Sequence, residues 1–222
     1  MEETNFVLLW KNHYEKIEQS LAINKKLLRE ITNQKAAAAM RSLIRLKLTG
    51  IIAAAFYLGL LGIVLFYCML HYSPTKLYFL VSVTAIFLIN LKALYDYIKH
   101  LAWASEIDYN GPIAEIQSKL TKLQFSIVKH AKIMCLQFPF YTTFYLSSSW
   151  FPQEVSIGYL IFQIAITGGF TYLSYWLYKN HTIENLDKKW FRNMIAASGG
   201  KSVLKAMEFY RELEEFKTDS QN

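Results

Sequence analysis

The sequence predicts an all-α membrane protein with four transmembrane helices and long helical extensions on the cytoplasmic side. Three observations carry that reading. Apolar residues make up 53% of the chain and charged residues only 18%, and the apolar ones collect in uncharged runs. Residues 49–70 and 155–178 contain no charge, and each is long enough to cross roughly 30 Å of hydrocarbon. Lys and Arg crowd some of the intervening segments and avoid others. Uncharged runs beyond about 20 residues argue against core helices of a soluble domain.

The first element, residues 1–47, is a cytoplasmic amphipathic helix of the coiled-coil type. Within "LLWKNHYEKIEQSLAINKKLLREI" (8–31), Trp10, Tyr14, Ile17, Leu21, Asn24, Leu28 and Ile31 recur in alternating steps of four and three. That is the spacing of a coiled-coil seam. An asparagine buried in such a seam costs stability but fixes register and partner number. The plainer alternative is that the helix packs on the rest of its own chain and Asn24 meets solvent or a neighbour. The stripe is the expected partner-binding surface, for another protein or for a second copy forming a homo-oligomer. The alanine run at 36–39 keeps helix propensity high, so the helix is free to continue into the first span.

Residues 48–178 form the membrane domain. Its spans are 49–70, 77–95 (with Lys92 snorkelling its stem to the headgroups), 133–151 and 155–178. Ala55, Gly59 and Gly62 share one face of the first span, and Gly158, Ala165 and Gly169 share one face of the last. Small residues at this spacing let helix backbones approach closely, and packing inside one four-helix unit is the expected use. Pro139 lacks an amide hydrogen and frees the carbonyl of Cys135, so a kink is expected, with Thr142 and Thr143 available to the freed groups. Asn90, Gln137, Gln163 and Thr167 are the other polar groups at depth; hydrogen-bonded packing is their plainer role and lining a path the sharper one. No Asp or Glu lies inside a span, which counts against proton relay and ion-coupled transport.

Between the second and third spans, residues 95–132 read as a helical hairpin. Asn110-Gly111 marks its turn, and Pro112 suits the first position of the returning helix. Ile113, Ile116, Leu120, Leu123 and Ile127 supply one apolar seam, and Leu94, Ile98 and Leu101 the other. The tail, 179–222, reads as a helix capped by Thr182 and running to Asn193, a break at Ser198-Gly199-Gly200, and a last helix over 201–216. That last helix carries Val203, Met207, Tyr210, Leu213 and Phe216 on one side, before frayed ends at "KTDSQN".

Orientation follows from the basic residues. Nine precede the first span, five lie in 96–132 and eight follow Tyr178, whereas Lys76 is alone between spans one and two. The positive-inside rule puts both termini and the hairpin in the cytoplasm, with the spans in the inner membrane. The first span lies behind a long charged segment, unlike a signal peptide, and is expected to stay as an anchor. Cys68 and Cys135 then fall near opposite faces, beyond disulfide reach.

Arg41, Arg45, Lys47, Lys129, Lys132, Lys188 and Lys189 gather at the membrane edge, where anionic inner-leaflet lipid is the expected partner. No helix-turn-helix or stacking platform accompanies the charge, so no nucleic acid is expected. Asp96, His100 and His130 have the chemistry of metal ligands, though such groups are common at an interface; no metal or cofactor is assigned. "SGGK" (198–201) is no phosphate loop, and neither G-x-S-x-G nor H-E-x-x-H occurs. The expectation is a non-enzymatic membrane scaffold or regulator that binds through its cytoplasmic helices, with an oligomeric small channel or transporter as the alternative.

The opening helix, with the "AAAAMRSLIRLKLTG" stretch that follows it, resembles small multi-span membrane proteins of Bacteroidota-type bacteria. These begin with a similar "LW…Y…KLE.SL.LN..LL" helix, and the resemblance covers about the first fifty residues. Some of these proteins are found beside sigma-factor genes, and the resemblance therefore implies an anti-sigma-like regulatory role. It carries over no catalytic residue.

Overall fold

In a computed structural model the described residues are 2–186, 188–196 and 198–219, with side chains described over 10–213 apart from 12, 187 and 197. They form six α-helices joined by short 3-10 helices and turns, with no strand among them. The first is α1 (Glu2–Leu70), one uninterrupted helix of 69 residues, about 100 Å long at 1.5 Å per residue. It joins the expected cytoplasmic helix to the first apolar span without a break. Then come α2 (Leu77–Ser105), α3 (Ile113–Met134) and α4 (Ile157–Asn180), and in the tail α5 (Lys189–Ala196) and α6 (Gly200–Asp219).

Three helices are long and apolar enough to cross a membrane: α1, the stretch Pro74–Ser105 and α4. The segment expected as a further helical span, 133–151, is built differently. α3 ends at Met134, a 3-10 helix runs over Cys135–Thr142, and turns lead on to α4. Pro139 lies inside that 3-10 helix, where it removes a donor and crowds the carbonyl four residues back. That carbonyl, of Cys135, accepts from Ser174 Oγ on α4 at 2.9 Å. Thr142 and Thr143 serve other acceptors than expected: Thr142 Oγ1 donates to the Pro139 carbonyl at 2.7 Å, and Thr143 Oγ1 reaches the same carbonyl at 3.4 Å.

The irregular segment is held from both sides by side chains. On α2, Asn90 donates to Gln137 Oε1 at 3.0 Å, and Ser82 Oγ lies 2.8 Å from Thr143 Oγ1. On α4, Gln163 donates to the Thr142 carbonyl at 2.7 Å and accepts from the Tyr145 hydroxyl at 2.8 Å. At its far end Ser147 Oγ and the Ser148 amide both donate to the Thr75 carbonyl. A stretch without an α-helical hydrogen-bond ladder leaves backbone groups that such side-chain partners can satisfy. The packing therefore runs as a row, α1 on α2, α2 on the 3-10 segment, and that segment on α4.

Beyond the apolar stretches, α1, the α2–α3 hairpin and α6 make a helical bundle. Its core is Ala36, Met40 and Leu43 of α1, Ile116, Leu120, Leu123 and Ile127 of α3, and Val203, Ala206, Tyr210 and Leu213 of α6, with Ala104 and Ile107. The hairpin turn is fastened by Asp108 Oδ1, which accepts from the Asn110 amide at 2.9 Å. Pro112 stands just before α3 as its cap residue rather than as its first helical residue. Arg29 of α1 donates to the carbonyls of Asn110 and Gly111 at 3.1 and 2.8 Å, clasping the hairpin tip.

The tail departs from its expected form in one place. The helix expected from Thr182 to Asn193 is split into a 3-10 turn, Ile183–Asn185, and α5; Thr182 makes no side-chain cap. The aromatic residues account for the split. Trp190 stacks near Trp176, and Phe191 meets His181 edge-on with centroids 5.0 Å apart. This turns Phe191 and Ile195 onto Val128 and Ala131. Gly199, with φ +90, makes the reversal into α6, a conformation L side chains avoid; a Cβ there would also strike Leu43. Val203, Met207, Tyr210 and Leu213 of the expected α6 seam do face the core; Phe216 lies outside the described side chains.

Candidate functional site

The heptad stripe falls on the solvent side of α1. Trp10 is 66% exposed, Tyr14 54%, Ile17 55%, Leu21 44% and Ile31 39%, and Asn24 is exposed as well. Trp10 and Tyr14 stack with ring centroids 6.5 Å apart. Leu28 alone among the seven is half-buried, packed against the bundle core. The exposed stripe is apolar from Trp10 to Leu21, is interrupted by Asn24, and reappears at Ile31 beside the bundle.

Helix geometry explains why the chain leaves it uncovered. The face of α1 buried by the bundle holds Thr32, Ala36, Met40, Leu43 and Lys47. At 3.6 residues per turn, its centre lies about 90° around the helix from the centre of the heptad stripe. Carried toward the N-terminus, the buried face presents Glu18, Ala22 and Lys25, which offer a core nothing to bury.

A second feature sits at the junction of bundle and apolar stretches. Lys47, Asp96, His100 and His130 are all 1% exposed or less. Asp96 accepts from Lys92, lies 3.5 Å from Lys99 Nζ, and takes a 3.2 Å hydrogen bond from His130 Nδ1. His100 Nε2 lies 2.9 Å from Ser126 Oγ of α3, while its Nδ1 and Lys47 Nζ are buried without a hydrogen-bond partner. Lys47 rests instead over the Tyr97 ring, 4.1 Å from its centroid. Gly50 makes room for that ring; a Cβ there would come within 2.6 Å of it.

The electrostatics follow from burial. Burial pushes the Lys47 ammonium down to about 8, against the pull of Asp96. For Asp96, burial alone would raise the carboxyl; the hydrogen bonds from His130 and Lys92 outweigh it and hold the group well below the usual carboxylate range. Burial, then the nearby Lys47 charge, pushes His100 down to about 3. His130 is also lowered by burial, which its bond to Asp96 only partly offsets. Both imidazoles are therefore neutral near pH 7, and Asp96 is the anion shared by α1, α2 and α3. Asp96, His100 and His130 do come together, yet their bonds go to lysines, Ser126 and one another. Among the described residues no group is arranged to hold a metal ion. The sequence marked the two histidines and the aspartate; it gave no sign that Lys47 joins them.

The small-residue faces are mostly unfilled within one chain. Within one chain only Gly62 approaches a neighbour, Phe87 of α2, at 3.7 Å from a built Cβ. Ala55, Gly59, Gly158, Ala165 and Gly169 are exposed, and Gly59 and Gly169 have open space beside them. The row arrangement is the reason: α1 and α4 each pack by one face only, and the small residues lie on the other. The polar groups at depth do the opposite, since Asn90, Gln137, Gln163 and Thr167 bond one another and the 3-10 segment. No protein-family model matches the chain, and no curated protein or solved structure is similar enough to signal a relationship.

Proposed function

We propose that the protein is a non-enzymatic scaffold or regulator anchored in the cell's inner membrane, which binds a protein through the exposed stripe of α1. The single observation that supports this is the uncovered run Trp10, Tyr14, Ile17 and Leu21 on a helix otherwise locked to its own bundle. Burying such side chains contributes about 1.5–3 kcal/mol each, so a surface that covers the stripe gains strongly. The partner is on the cytoplasmic side, and a second copy is the simplest one. Two copies anchored in the same membrane present parallel helices, the arrangement of a parallel two-stranded coiled coil. In an anti-sigma-like role the protein would hold its partner through the same stripe.

The orientation rests on a fourth crossing by the irregular segment. Residues 82–90 of α2 and 137–143 beside them each advance about 12 Å, because a 3-10 helix rises about 2.0 Å per residue. The segment therefore keeps pace with α2 from Asn90 to the level of Thr75 with fewer residues than an α-helix needs. Four crossings return both ends to the side rich in Lys and Arg, where anionic lipid headgroups meet the basic residues at the membrane edge. A conducting path is the weaker reading, since the polar groups at depth are engaged with one another.

The test is native mass spectrometry and cross-linking of the detergent-purified protein against Ile17→Asp/Leu21→Asp and Asn24→Leu. The double variant is expected to lose the partner or second copy. Asn24→Leu is expected to strengthen association while loosening the choice of oligomer. Identical assembly states in all three proteins would overturn the proposal.

A further inference from the structure

Two cavities lie side by side between α1, α2 and the irregular segment. The lower, of about 230 Å³, is walled by Leu61 and Val64 of α1, Val83 and Ile86 of α2, and Tyr141 of the 3-10 segment. The upper, of about 440 Å³, is bordered by Thr75, Lys76 and Ser147. Phe79 and Phe144 line both, so the two adjoin across these rings and together outline one slot. The lower part follows α2 from Phe79 to Ile86, about 10 Å along the axis. Its lining is mostly apolar, with the rings of Tyr57 and Tyr141 among it, whereas Thr75, Ser147 and the Lys76 ammonium stand at the upper end.

The position of the charge is informative. Lys76 is the only Lys or Arg between the first two apolar stretches, and it lines the upper cavity. Its Nζ donates once, to the His71 carbonyl at 3.0 Å; an ammonium has three donors, so two remain. An apolar slot open to hydrocarbon is filled by hydrocarbon, and a lone ammonium at headgroup depth attracts a phosphate.

We propose that the slot holds one acyl chain of a phospholipid, with its headgroup phosphate on Lys76. The lipid would wedge between α1 and the 3-10 segment, stiffening an edge that the row arrangement leaves without a neighbouring helix. This rests on the membrane reading above, which fractionation of lysed cells tests separately: recovery of the protein in the soluble fraction would overturn that reading, whatever the lipid result.

The experiment is native mass spectrometry of the full chain, purified in mild detergent and supplied with phosphatidylglycerol. The wild type is expected to retain one lipid. Lys76→Gln is expected to reduce its occupancy about tenfold, the loss of one charge-assisted bond. Val83→Trp and Leu61→Trp fill the slot from opposite walls, so that one substitution that fails to fold does not decide the matter; each is expected to abolish retention. Glycerol 3-phosphate, the headgroup without a chain, is expected not to displace the lipid. Equal lipid retention in all four proteins, no retained lipid in the wild type, or displacement by glycerol 3-phosphate would overturn the proposal.

Discussion

Residues 10–24 and residues 32–47 belong to one uninterrupted helix, and both carry apolar side chains at helical spacing. In the second stretch Ala36, Met40 and Leu43 are buried to 1% exposure or less; in the first, Trp10, Ile17 and Leu21 stay in solvent. The difference lies outside the helix. The hairpin and α6 supply a surface for one face, and Arg29 on the hairpin tip marks where that surface stops. Periodicity thus identifies a face that must be covered, but what covers it depends on where other elements end.

The largest effect expected from this comparison is on stability. Leu43→Asp places an unpaired charge in a filled core and should cost about 4 kcal/mol or more, unfolding the bundle. Leu21→Asp makes the same chemical change on the exposed stretch and should stay within about 0.5 kcal/mol for the isolated chain. Thermal unfolding in detergent at low protein concentration compares them. Equal losses would mean that the stripe is already covered within one chain.

Next in size is the polar junction where the packed stretch meets the membrane domain. Asp96→Ala leaves Lys47, Lys92 and Lys99 without their shared anion, and breaking a buried pair of this kind costs about 3 kcal/mol. The same melts read it, and a loss below that of an exposed substitution would remove the junction from the account. A pH effect of smaller size accompanies it. His100 titrates near 6.5 when unfolded but is pushed down to about 3 in the fold by burial and by Lys47. The unfolded chain therefore binds the extra proton, so stability is full above about pH 6.5 and declines as pH falls toward 3. His100→Gln should flatten that decline between pH 6.5 and 4.5, and an unchanged slope would assign it to other groups.

Much of this arrangement was legible in the sequence, for identifiable reasons. The all-helical chain, the turn at Asn110-Gly111, the break at Gly199 and the buried side of α6 each follow from local chemistry or local periodicity. The 3-10 segment was not legible, because hydropathy over 133–151 reports apolarity and not the hydrogen bonds from Ser174, Gln163 and Asn90 that replace an α-helical ladder. Pro139 signalled only that something must give. The surroundings of the small residues were not legible for a related reason: spacing shows that Gly59 and Gly169 share faces with other small residues, and only the row order of the helices shows that those faces are open within one chain. Lys47 looked like one of several edge lysines, since its burial depends on Tyr97 and on the room left by Gly50.

The central claim, that a protein partner and not its own chain covers the stripe of α1, is tested most directly by cysteine labelling in native membranes. Ile17→Cys, in a chain carrying Cys68→Ala and Cys135→Ala, is treated with a membrane-permeant maleimide before and after dilution into detergent, with Lys16→Cys as the neighbour off the stripe. Slow labelling at position 17 in membranes, rising to the rate at position 16 once the partner is diluted away, is the predicted result. Equal and rapid labelling at both positions in membranes would show a stripe left bare, and would contradict the account.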